Sequence, residues 1–426
     1  MNNFLIKNVC VPGLDLDEAH IVIKDGRYDT IMPAVSNEAL IFIQNWEKDN
    51  KKTVDGRGWT VLPTFTDIHT HLDKAFTYEQ VPNYSGTLRE AITNYQSALP
   101  SFTEEAMMER MRRLMDRAVS YGTGRMRTHI NAGEDKAGNI ALQAASKIKE
   151  EYRGILDLQI IAMVGNMSQP LTKNTELQDV LLSNNIDGIG GAPHLSESCH
   201  EEIEDLFAFA SSRDLLVDLH ADEQDDPEVR SISHIIKQVK KYDYQKKTTA
   251  GHLCSLSAME EEAAFSIIDE MIQEQIYAVT LPAANLCLQG RDDKKNVRRG
   301  TTRVTSFLDK EAVIAAGSDN VNDPFHPFGD GDMLLTALIA AYANHLTSQK
   351  DISRLFQMIT TKPAEIFGQT NHIQEGEKAD FVLIEGKGEV ELLSVQPGGR
   401  KMYRNGRWVS ERQETVSVWK KGNIYA

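Results

Sequence analysis

Short apolar runs alternate with segments of helical periodicity through the middle of the chain. Runs of this length that end in polar residues are typical of buried parallel strands. Eight candidate strands follow in chain order, at residues 61–68, 125–130, 157–164, 188–192, 215–220, 248–252, 277–281 and 312–319. Eight successive strand–helix units predict an α/β fold of the (β/α)₈ TIM-barrel type, in which functional residues lie at the carboxyl ends of the strands.

Further strand patterns occur at both ends of the chain, at residues 3–10, 20–31, 380–384 and 401–409. Asp25-Gly26 and Asn405-Gly406 are turn signals, and the second is typical of a two-residue β-hairpin. Neither end has enough strands to be stable alone. We therefore expect residues 1–60 and 370–426 to form one small β-sandwich domain, and residues 61–369 to form the barrel.

The first strand–helix connection illustrates the helical signals between strands. Apolar periodicity predicts helices at about residues 86–97 and 103–120. Ser101 and Glu104 have the spacing of a capping box, which predicts that the second helix begins between them.

Composition and charge exclude several classes of partner. The net charge is −16 over 426 residues, which argues against nucleic acid or an anionic membrane as a partner. The four cysteines show no Cys-x-x-Cys spacing. The first residues lack the apolar run of a signal peptide, and the most apolar helix candidate, 333–343, is too short to span a bilayer. These features predict a cytoplasmic protein, with a homo-oligomer left open.

Two histidines, His69 and His71, follow the first candidate strand. Because alternate side chains of an extended segment point to the same side, both imidazoles can bind one divalent ion. A pair of surface or hydrogen-bonded histidines is the alternative. Further ligands at other strand ends decide between the two interpretations.

Such residues occur downstream. His220 ends the fifth candidate strand, with Glu223 three residues later; His252 ends the sixth, and Asp319 ends the eighth. A barrel brings strand ends into one mouth, so these distant residues are expected to share a site. The repetition at several strand ends favours a functional site over isolated histidines.

The motifs at these strand ends are His-Thr-His-Leu-Asp (69–73), Asp-Leu-His-Ala-Asp-Glu (218–223), Ala-Gly-His (250–252), Leu-Gln-Gly-Arg (288–291) and Ser-Asp-Asn-Val-Asn-Asp-Pro-Phe (318–325). In them the chain resembles the amidohydrolase superfamily, and within it the cytosine deaminase family. The resemblance implies one divalent metal ion, Zn²⁺ or Fe²⁺, held by His69, His71, His220 and Asp319. It also implies that Glu223 shuttles protons and that His252 orients the attacking water.

The chemistry of hydrolysis supports these roles. A bound divalent ion lowers the pKa of water from 15.7 towards ~7. Displacing an amine also needs a proton on the ring nitrogen and another on the leaving group, and a carboxyl group such as Glu223 can supply both. Asp319 would accept a proton from the attacking water. The alternative for Glu223 is a supporting contact that orients His220.

Departures from the family pattern bear on the substrate. The resemblance to cytosine deaminases implies a glutamine just after the third strand that binds the pyrimidine, but this chain has Gly165 there, with Asn166 beside it. A glycine cannot pair with the ring edge, which argues against cytosine as the substrate. Lys74 instead makes the first motif similar to that of N-isopropylammelide aminohydrolases. The ammonium group offers donors to a carbonyl on an electron-poor ring, although Lys74 could also be a solvated strand-end lysine.

The candidate substrate-binding residues also include Gln289, Asn320 and Phe325. Asn320 stands where the family has a second acidic residue. Phe325 stands where the family places an aromatic residue over the ring, and it could equally belong to the core.

Three functions remain in consideration. The first is a metal-dependent aminohydrolase that acts on an exocyclic C–N bond of a small N-heterocycle such as a pyrimidine or s-triazine. The second is a cyclic-amide or amide hydrolase, whose binuclear members use a carbamylated lysine on the fourth strand; residues 187–194 contain no lysine. The third is a metal-binding protein without catalysis, which would not need Glu223 and His252.

Overall fold

The computed structural model describes residues 3–49, 51–134, 136–165, 167–415 and 417. The chain divides into two compact units. Their ranges are Met1–Leu62, Ser120–Gly122 and Ile373–Ala426 for the first unit, and Pro63–Val119 and Thr123–His372 for the second. In these described ranges, no helix combines the length and the apolar character needed to cross a membrane.

The first unit begins with a mostly antiparallel set of strands and one helix. They are β1 (Phe4–Val11), β2 (Leu16–Lys24), β3 (Arg27–Pro33), α1 (Asn37–Lys48), β4 (Thr53–Asp55) and β5 (Trp59–Pro63), with a 3₁₀ turn at Pro12–Leu14. β2 pairs with β1 and β3. Asp25 and Gly26 connect β2 to β3 with φ of 50° and 76°, the conformation of a type I′ hairpin turn. The predicted turn at this position is confirmed.

The second unit contains eight parallel strands. They are β6 (Phe65–Thr70), β7 (Thr123–Asn131), β8 (Asp157–Met163), β9 (Gly188–Gly190), β10 (Leu216–Ala221), β11 (Thr248–His252), β12 (Tyr277–Thr280) and β13 (Ile314–Ala316). Each strand pairs with the next, and a bridge between Thr70 and Asp319 joins the two ends of the series. Most of these strand residues are buried, because a barrel strand faces side chains inside and helices outside. The predicted TIM barrel is confirmed.

Helices connect the barrel strands. They are α2 (Leu88–Ala98), α3 (Glu104–Tyr121), α4 (Lys136–Glu151), α5 (Thr175–Ser183), α6 (Cys199–Arg213), α7 (Ser231–Tyr242), α8 (Glu261–Gln273), α9 (Pro282–Leu288), α10 (Val304–Asp309), α11 (Met333–Asn344), α12 (Gln349–Ile359) and α13 (Thr361–Ile366). Short 3₁₀ turns lie at Leu99–Ser101, Leu171–Lys173, Pro193–Leu195 and Cys254–Ser257. In α7, the buried residues Ile232, Ile235, Ile236 and Val239 form one helical face.

The chain returns to the first unit with three strands and a helix. They are β14 (Phe381–Glu385), α14 (Gly388–Val395), β15 (Arg400–Arg404) and β16 (Arg407–Arg412). The strand order is β16-β15-β14-β5-β1-β2-β3, with β4 beside β1. The ring of Phe4 packs 5.1 Å from that of Tyr403 and 5.6 Å from that of Trp408. Both ends of the chain therefore share one core, which confirms the small β domain.

Two local predictions are wrong. The first candidate strand, 61–68, is divided between β5 and β6 at Pro63-Thr64, where proline has no N–H for strand pairing. The capping box of Ser101 and Glu104 does not form. Thr103 Oγ1 instead accepts a hydrogen bond from the Ala106 N–H at 3.3 Å, because Ser101 ends a 3₁₀ turn and its hydroxyl donates back to the Ala98 carbonyl at 2.6 Å.

Candidate metal and catalytic site

Four side chains converge at the carboxyl ends of three barrel strands. His69 lies in β6 and His71 directly follows it, His220 lies in β10, and Asp319 follows β13. Asp319 Oδ1 is 3.2 Å from His71 Nε2 and 3.6 Å from His69 Nε2. His220 Nε2 is 3.2 Å from His71 Nε2. One donor atom from each residue lies within 4.8 Å of the other three.

Backbone contacts between the first and last strands position this cluster. The Asp319 N–H donates to the His69 carbonyl at 2.8 Å, and the His71 N–H donates to the Asp319 carbonyl at 3.2 Å. A side chain at Gly317 would place its Cβ 2.8 Å from the His69 carbonyl oxygen, so this close approach requires glycine. Asp319 and His252 have positive φ of 59° and 67°, a strained conformation that is common at functional sites.

The protonation states suit a cation. Burial, followed by neighbouring charges, lowers the pKa of His69, His71 and His220 well below the usual value, so their imidazoles are neutral. His71 Nδ1 is 3.0 Å from the His129 carbonyl, which places the ring proton on Nδ1 and leaves a lone pair on Nε2. Lys74 Nζ also lies 3.4 Å from this Nδ1, but the ammonium group has closer acceptors.

The donor set fits a divalent ion. Three neutral imidazoles and a carboxylate are ligands that zinc and iron accept. Both ring nitrogens of His69 and Oδ1 of Asp319 are buried without a hydrogen-bond partner among the described residues. Burial raises the pKa of Asp319 well above its usual value, so an ionised Asp319 requires a nearby positive charge.

A second group of possible ligands consists of His69, His129 and Asp218. Here, however, Arg127 Nη1 donates to Asp218 Oδ2 at 2.8 Å, and both side chains are buried. The rings of His69 and His129 are stacked, with centroids 3.8 Å apart and an interplanar angle of 25°. The nitrogen lone pairs of the two rings therefore lie in nearly parallel planes. This arrangement fits an internal brace beneath the cluster better than a second ion.

Glu223 and His252 lie beside the cluster. Glu223 Oε1 is 3.5 Å from His252 Nδ1. Burial raises the pKa of Glu223 to about 8, which favours the protonated carboxyl group at neutral pH. The Asn285 amide nitrogen is 3.0 Å from His252 Nδ1. Since that amide group donates, the histidine carries its proton on Nε2, which is buried without a partner among the described residues.

Lys74 is a buried side chain, which excludes the alternative of a solvated strand-end lysine. Its Nζ donates to Asp73 at 3.1 and 3.2 Å and to Asn131 Oδ1 at 3.0 Å. The ammonium group also lies 5.4 Å from the centre of the Tyr95 ring. These partners hold the cation at one place on the wall of the cavity described next.

A cavity of about 580 Å³ opens above the cluster. Its polar lining includes His71, Lys74, His220, Glu223, His252, Asp319 and Asn320, and its wall also includes Gly165 and Phe325. Gln289 does not line the cavity; its amide donates to the Glu223 carbonyl at 3.3 Å. Asn166 lies outside the described residues.

Sequence reasoning missed several residues of the site. Asp218 precedes His220 by two positions on β10, and Arg127 precedes His129 by two on β7. The period of two in a strand indicates that each pair shares a face, and this signal would have placed all four inside the barrel. Asn285 shows no such signal, because it approaches His252 only through the fold.

Metal-ligand clusters at the carboxyl ends of barrel strands define a class of metal-dependent hydrolases. The sequence profile of the Amidohydrolase family matches residues 79–426. The chain therefore belongs to the amidohydrolase family, and the prediction of a hydrolase that acts on carbon–nitrogen bonds is confirmed.

Individual relatives agree with this assignment. A pterin deaminase of Rhizobium rhizogenes is 29% identical over 95% of this chain and 93% of its own length. An N-isopropylammelide isopropyl amidohydrolase of Pseudomonas sp. is 26% identical over 95% of this chain and 98% of its own. The crystal structure of 5-methylcytosine deaminase from Klebsiella pneumoniae with 5-fluorocytosine has a TM-score of 0.85 and 22% identity, and the match covers 97% of this chain and 99% of that one. This last likeness shows the fold.

Proposed function

We propose that this chain is an aminohydrolase that releases ammonia or an alkylamine from an exocyclic C–N bond of a planar N-heterocycle. The observation that carries the proposal is Glu223, a buried carboxyl group with a pKa raised to about 8 beside both His252 and the cavity. The names of the pterin deaminase and the isopropylammelide enzyme support a substrate of this class.

His69, His71, His220 and Asp319 would hold one divalent ion, zinc or iron(II). Such an ion would activate a water for attack on the ring carbon. Beneath the cluster, the Arg127–Asp218 ion pair and the stacked His129 ring keep His69 in place. The absence of lysine from the described strand β9 disfavours the carbamylated two-metal hydrolases.

Glu223 moves the protons. The protonated carboxyl group donates to the ring nitrogen while water adds to the ring carbon, and Asp319 accepts a proton from the added water and passes it to the Glu223 carboxylate. Glu223 next protonates the departing amine, the C–N bond breaks, and the carboxylate recovers the last proton of the added oxygen as the carbonyl forms. Water is thereby consumed, one amine is released, and Glu223 ends as it began.

His252 stabilises the oxygen added in this reaction. Its Nε2–H has no partner among the described residues and can donate to the developing negative charge, while Asn285 holds Nδ1. Such preorganised donors contribute strongly to catalysis in buried sites.

The substrate ring lies among Lys74, Asn320 and Phe325. Lys74, fixed by Asp73 and Asn131, donates to a ring carbonyl. Phe325 lines the cavity with its ring 6.5 Å from that of Tyr95, where it can cover a planar ring. Asn166 completes the proposed set of substrate-binding residues, and Gln289, which does not line the cavity, supports the Glu223 backbone instead.

The test is to measure amine release by the purified, metal-loaded protein from pterin, N-isopropylammelide, ammelide, cytosine and 5-methylcytosine. We expect one equivalent of ammonia or alkylamine per oxygenated ring product for at least one compound. Hydrolysis that opens a cyclic amide, without release of a free exocyclic amine, would show that the aminohydrolase proposal is wrong.

A further inference from the structure

One face of α2, together with Leu99 directly after it, lines the cavity. Leu88, Ile92, Tyr95 and Leu99 follow the helical spacing i, i+4, i+7 and i+11, and all four belong to the cavity wall. Tyr95 and Leu99 are buried, whereas Leu88 and Ile92 are half-buried. The apolar stripe therefore becomes more exposed towards the N-terminal end of α2.

Other segments of the chain add further aliphatic side chains to the cavity wall. Met163 at the end of β8 is half-buried, and Leu195, which follows β9, is 56% exposed. A single exposed leucine needs no explanation. Leu88, Ile92, Met163 and Leu195, here named the apolar mouth, are incompletely buried aliphatic side chains that line one cavity, and they indicate a ligand that covers them.

The charges of the outer cavity exclude one class of ligand. Lys74 is the only Lys or Arg among the described residues that line the cavity, and it is held deep in the wall by Asp73. Glu134 and Glu202 line the wall farther out, bound to Ser168 and Asn174 and to Ser196 respectively. An anionic group there would meet negative charge without a compensating cation.

The cavity also has room beyond a single ring. At Gly165, an added Cβ would meet no heavy atom within 4 Å, so this part of the wall is open. The volume of about 580 Å³ lies in the range that encloses drug-sized ligands. A lone pyrimidine would leave the apolar mouth in contact with water.

We propose that the substrate carries an apolar, non-anionic substituent on its ring, and that this substituent contacts Ile92 of α2 and Leu195. This inference rests on the proposed aminohydrolase function, and it adds the chemistry of the substrate beyond the reacting C–N bond. Leu88 and Met163 complete the contact surface.

Matched substrates test the proposal. The pteridine set is pterin, 6-phenylpterin and 6-carboxypterin, and the triazine pair is ammeline and N-isopropylammeline with release of ammonia as the readout, so that in each set the apolar group stands on the ring and not on the leaving amine. In the ring system that the protein accepts, we expect kcat/KM to be higher by about 10-fold or more for the compound with the apolar group. Burial of one or two methylene groups in an enzyme pocket changes kcat/KM by this much. The carboxylated pterin should be the poorest of its set.

Alanine variants of the cavity wall test which residues contact the apolar substituent. Ile92→Ala and Leu195→Ala should each lower the preference for the apolar-substituted compound several-fold, while kcat/KM for the unsubstituted ring stays within about 2-fold. The control is Leu182→Ala, since Leu182 is an exposed leucine, 38% exposed, on α5 and does not line the cavity. This control should leave the preference unchanged.

The outcomes separate the two proposals. Failure to release an amine from any compound would overturn the aminohydrolase function itself. Amine release without preference for the apolar group, or with a preference that Ile92→Ala and Leu195→Ala do not change, would overturn only the substituent site. Leu195→Glu provides a further check by light scattering, because a change from oligomer to monomer would show that another copy of the chain covers this mouth.

Discussion

Glu223 shows how burial changes the chemistry of one side chain. An exposed glutamate is ionised at neutral pH and cannot donate a proton to a substrate. Removal from water raises the pKa of Glu223 to about 8, and the neighbouring His252 is kept neutral because burial lowers its pKa well below the usual value. The pair thus combines a proton donor with a neutral hydrogen-bond donor.

Glu223→Gln should retain the metal and lose ~10² or more in kcat, because the amide cannot transfer a proton. Turnover and metal content per chain are the two measurements. Loss of the metal from Glu223→Gln, with little further loss in turnover, would instead make Glu223 a support for the ligands. His252→Asn should behave in the same way as Glu223→Gln, since neither residue is proposed as a ligand.

Lys74→Met should lower kcat/KM by roughly 10- to 150-fold, the equivalent of a charged hydrogen bond of ~1.5–3 kcal/mol. Metal content should stay unchanged. Because the substitution leaves the buried Asp73 carboxylate without its ammonium partner, thermal stability has to be measured as well. An unchanged kcat/KM in a folded Lys74→Met protein would show that Lys74 is only the partner of Asp73.

At the scale of the secondary-structure elements, the ends of the barrel strands determine which residues come together in the site. The short bridge between Thr70 and Asp319 closes the barrel, and the same closure brings Asp319 to His69 and His71. In the next layer of side chains inside the barrel, the Arg127 guanidinium of β7 donates hydrogen bonds to Asp218 of β10 and Thr249 of β11. The barrel interior therefore contains a polar brace directly beneath the ligands.

Asp218→Asn should lower the free energy of unfolding of the metal-free protein by ~3–5 kcal/mol, because it leaves the Arg127 guanidinium buried without a countercharge. Glu151→Gln is the matched control. It breaks the Arg112–Glu151 pair at 2.7 Å, whose side chains are 40% and 42% exposed, and should cost ~0–1 kcal/mol. Urea unfolding of both variants is the measurement, and equal losses would contradict a bracing role for Asp218.

At the scale of the whole molecule, the ligand cluster couples metal binding to stability. Protein purified without added metal should contain about one equivalent of zinc or iron, and chelation should lower Tm, because an ion that binds only the folded state stabilises it. His220→Ala should contain little metal and show a Tm that the chelator does not change. Two equivalents of metal per chain would contradict the single site.

The small β domain should give the protein a pH-dependent stability of its own. Burial and, next, the charge of Asp15 raise the pKa of Glu389 to about 7, above its value in the unfolded chain. The folded state therefore binds the proton more tightly, and this contribution to stability is lost as pH rises from about 4.5 to about 7. The free energy of unfolding of Glu389→Gln, relative to that of wild type, should rise by on the order of 1 kcal/mol between pH 5 and pH 8. Partial exposure of Glu389 makes this rise smaller than full burial would give.

Urea unfolding at the two pH values measures this difference. Because other buried carboxyl groups titrate in both proteins, only the difference between wild type and Glu389→Gln reports on Glu389. A difference that does not change with pH would show that Glu389 is solvated in the folded protein.

Local sequence determined the order of the elements and the positions of the polar residues along them. Buried parallel strands must be short and apolar, so eight of them were visible before any contact was known, and His69, His220 and Asp319 stood out as polar residues at their ends. The hairpin turns at Asp25-Gly26 and Asn405-Gly406 were equally local, because positive φ at two successive positions selects these residue types. The proposed catalytic roles, and domain boundaries at residues 60 and 370, stay predictions.

Tertiary structure decided what depends on distances across the barrel. The brace of Arg127 and Asp218 joins residues 91 positions apart, and the contact of Asn285 with His252 exists only because β11 and α9 meet around the ring. Burial cannot be read from a local sequence pattern. In the folded protein it raises the pKa of Glu223, and the Lys74 side chain lies in the cavity wall instead of in solvent. The apolar mouth, which includes Ile92 and Leu195, arises in the same way, since each residue looks ordinary in its own helix or loop until folding places the two around one cavity.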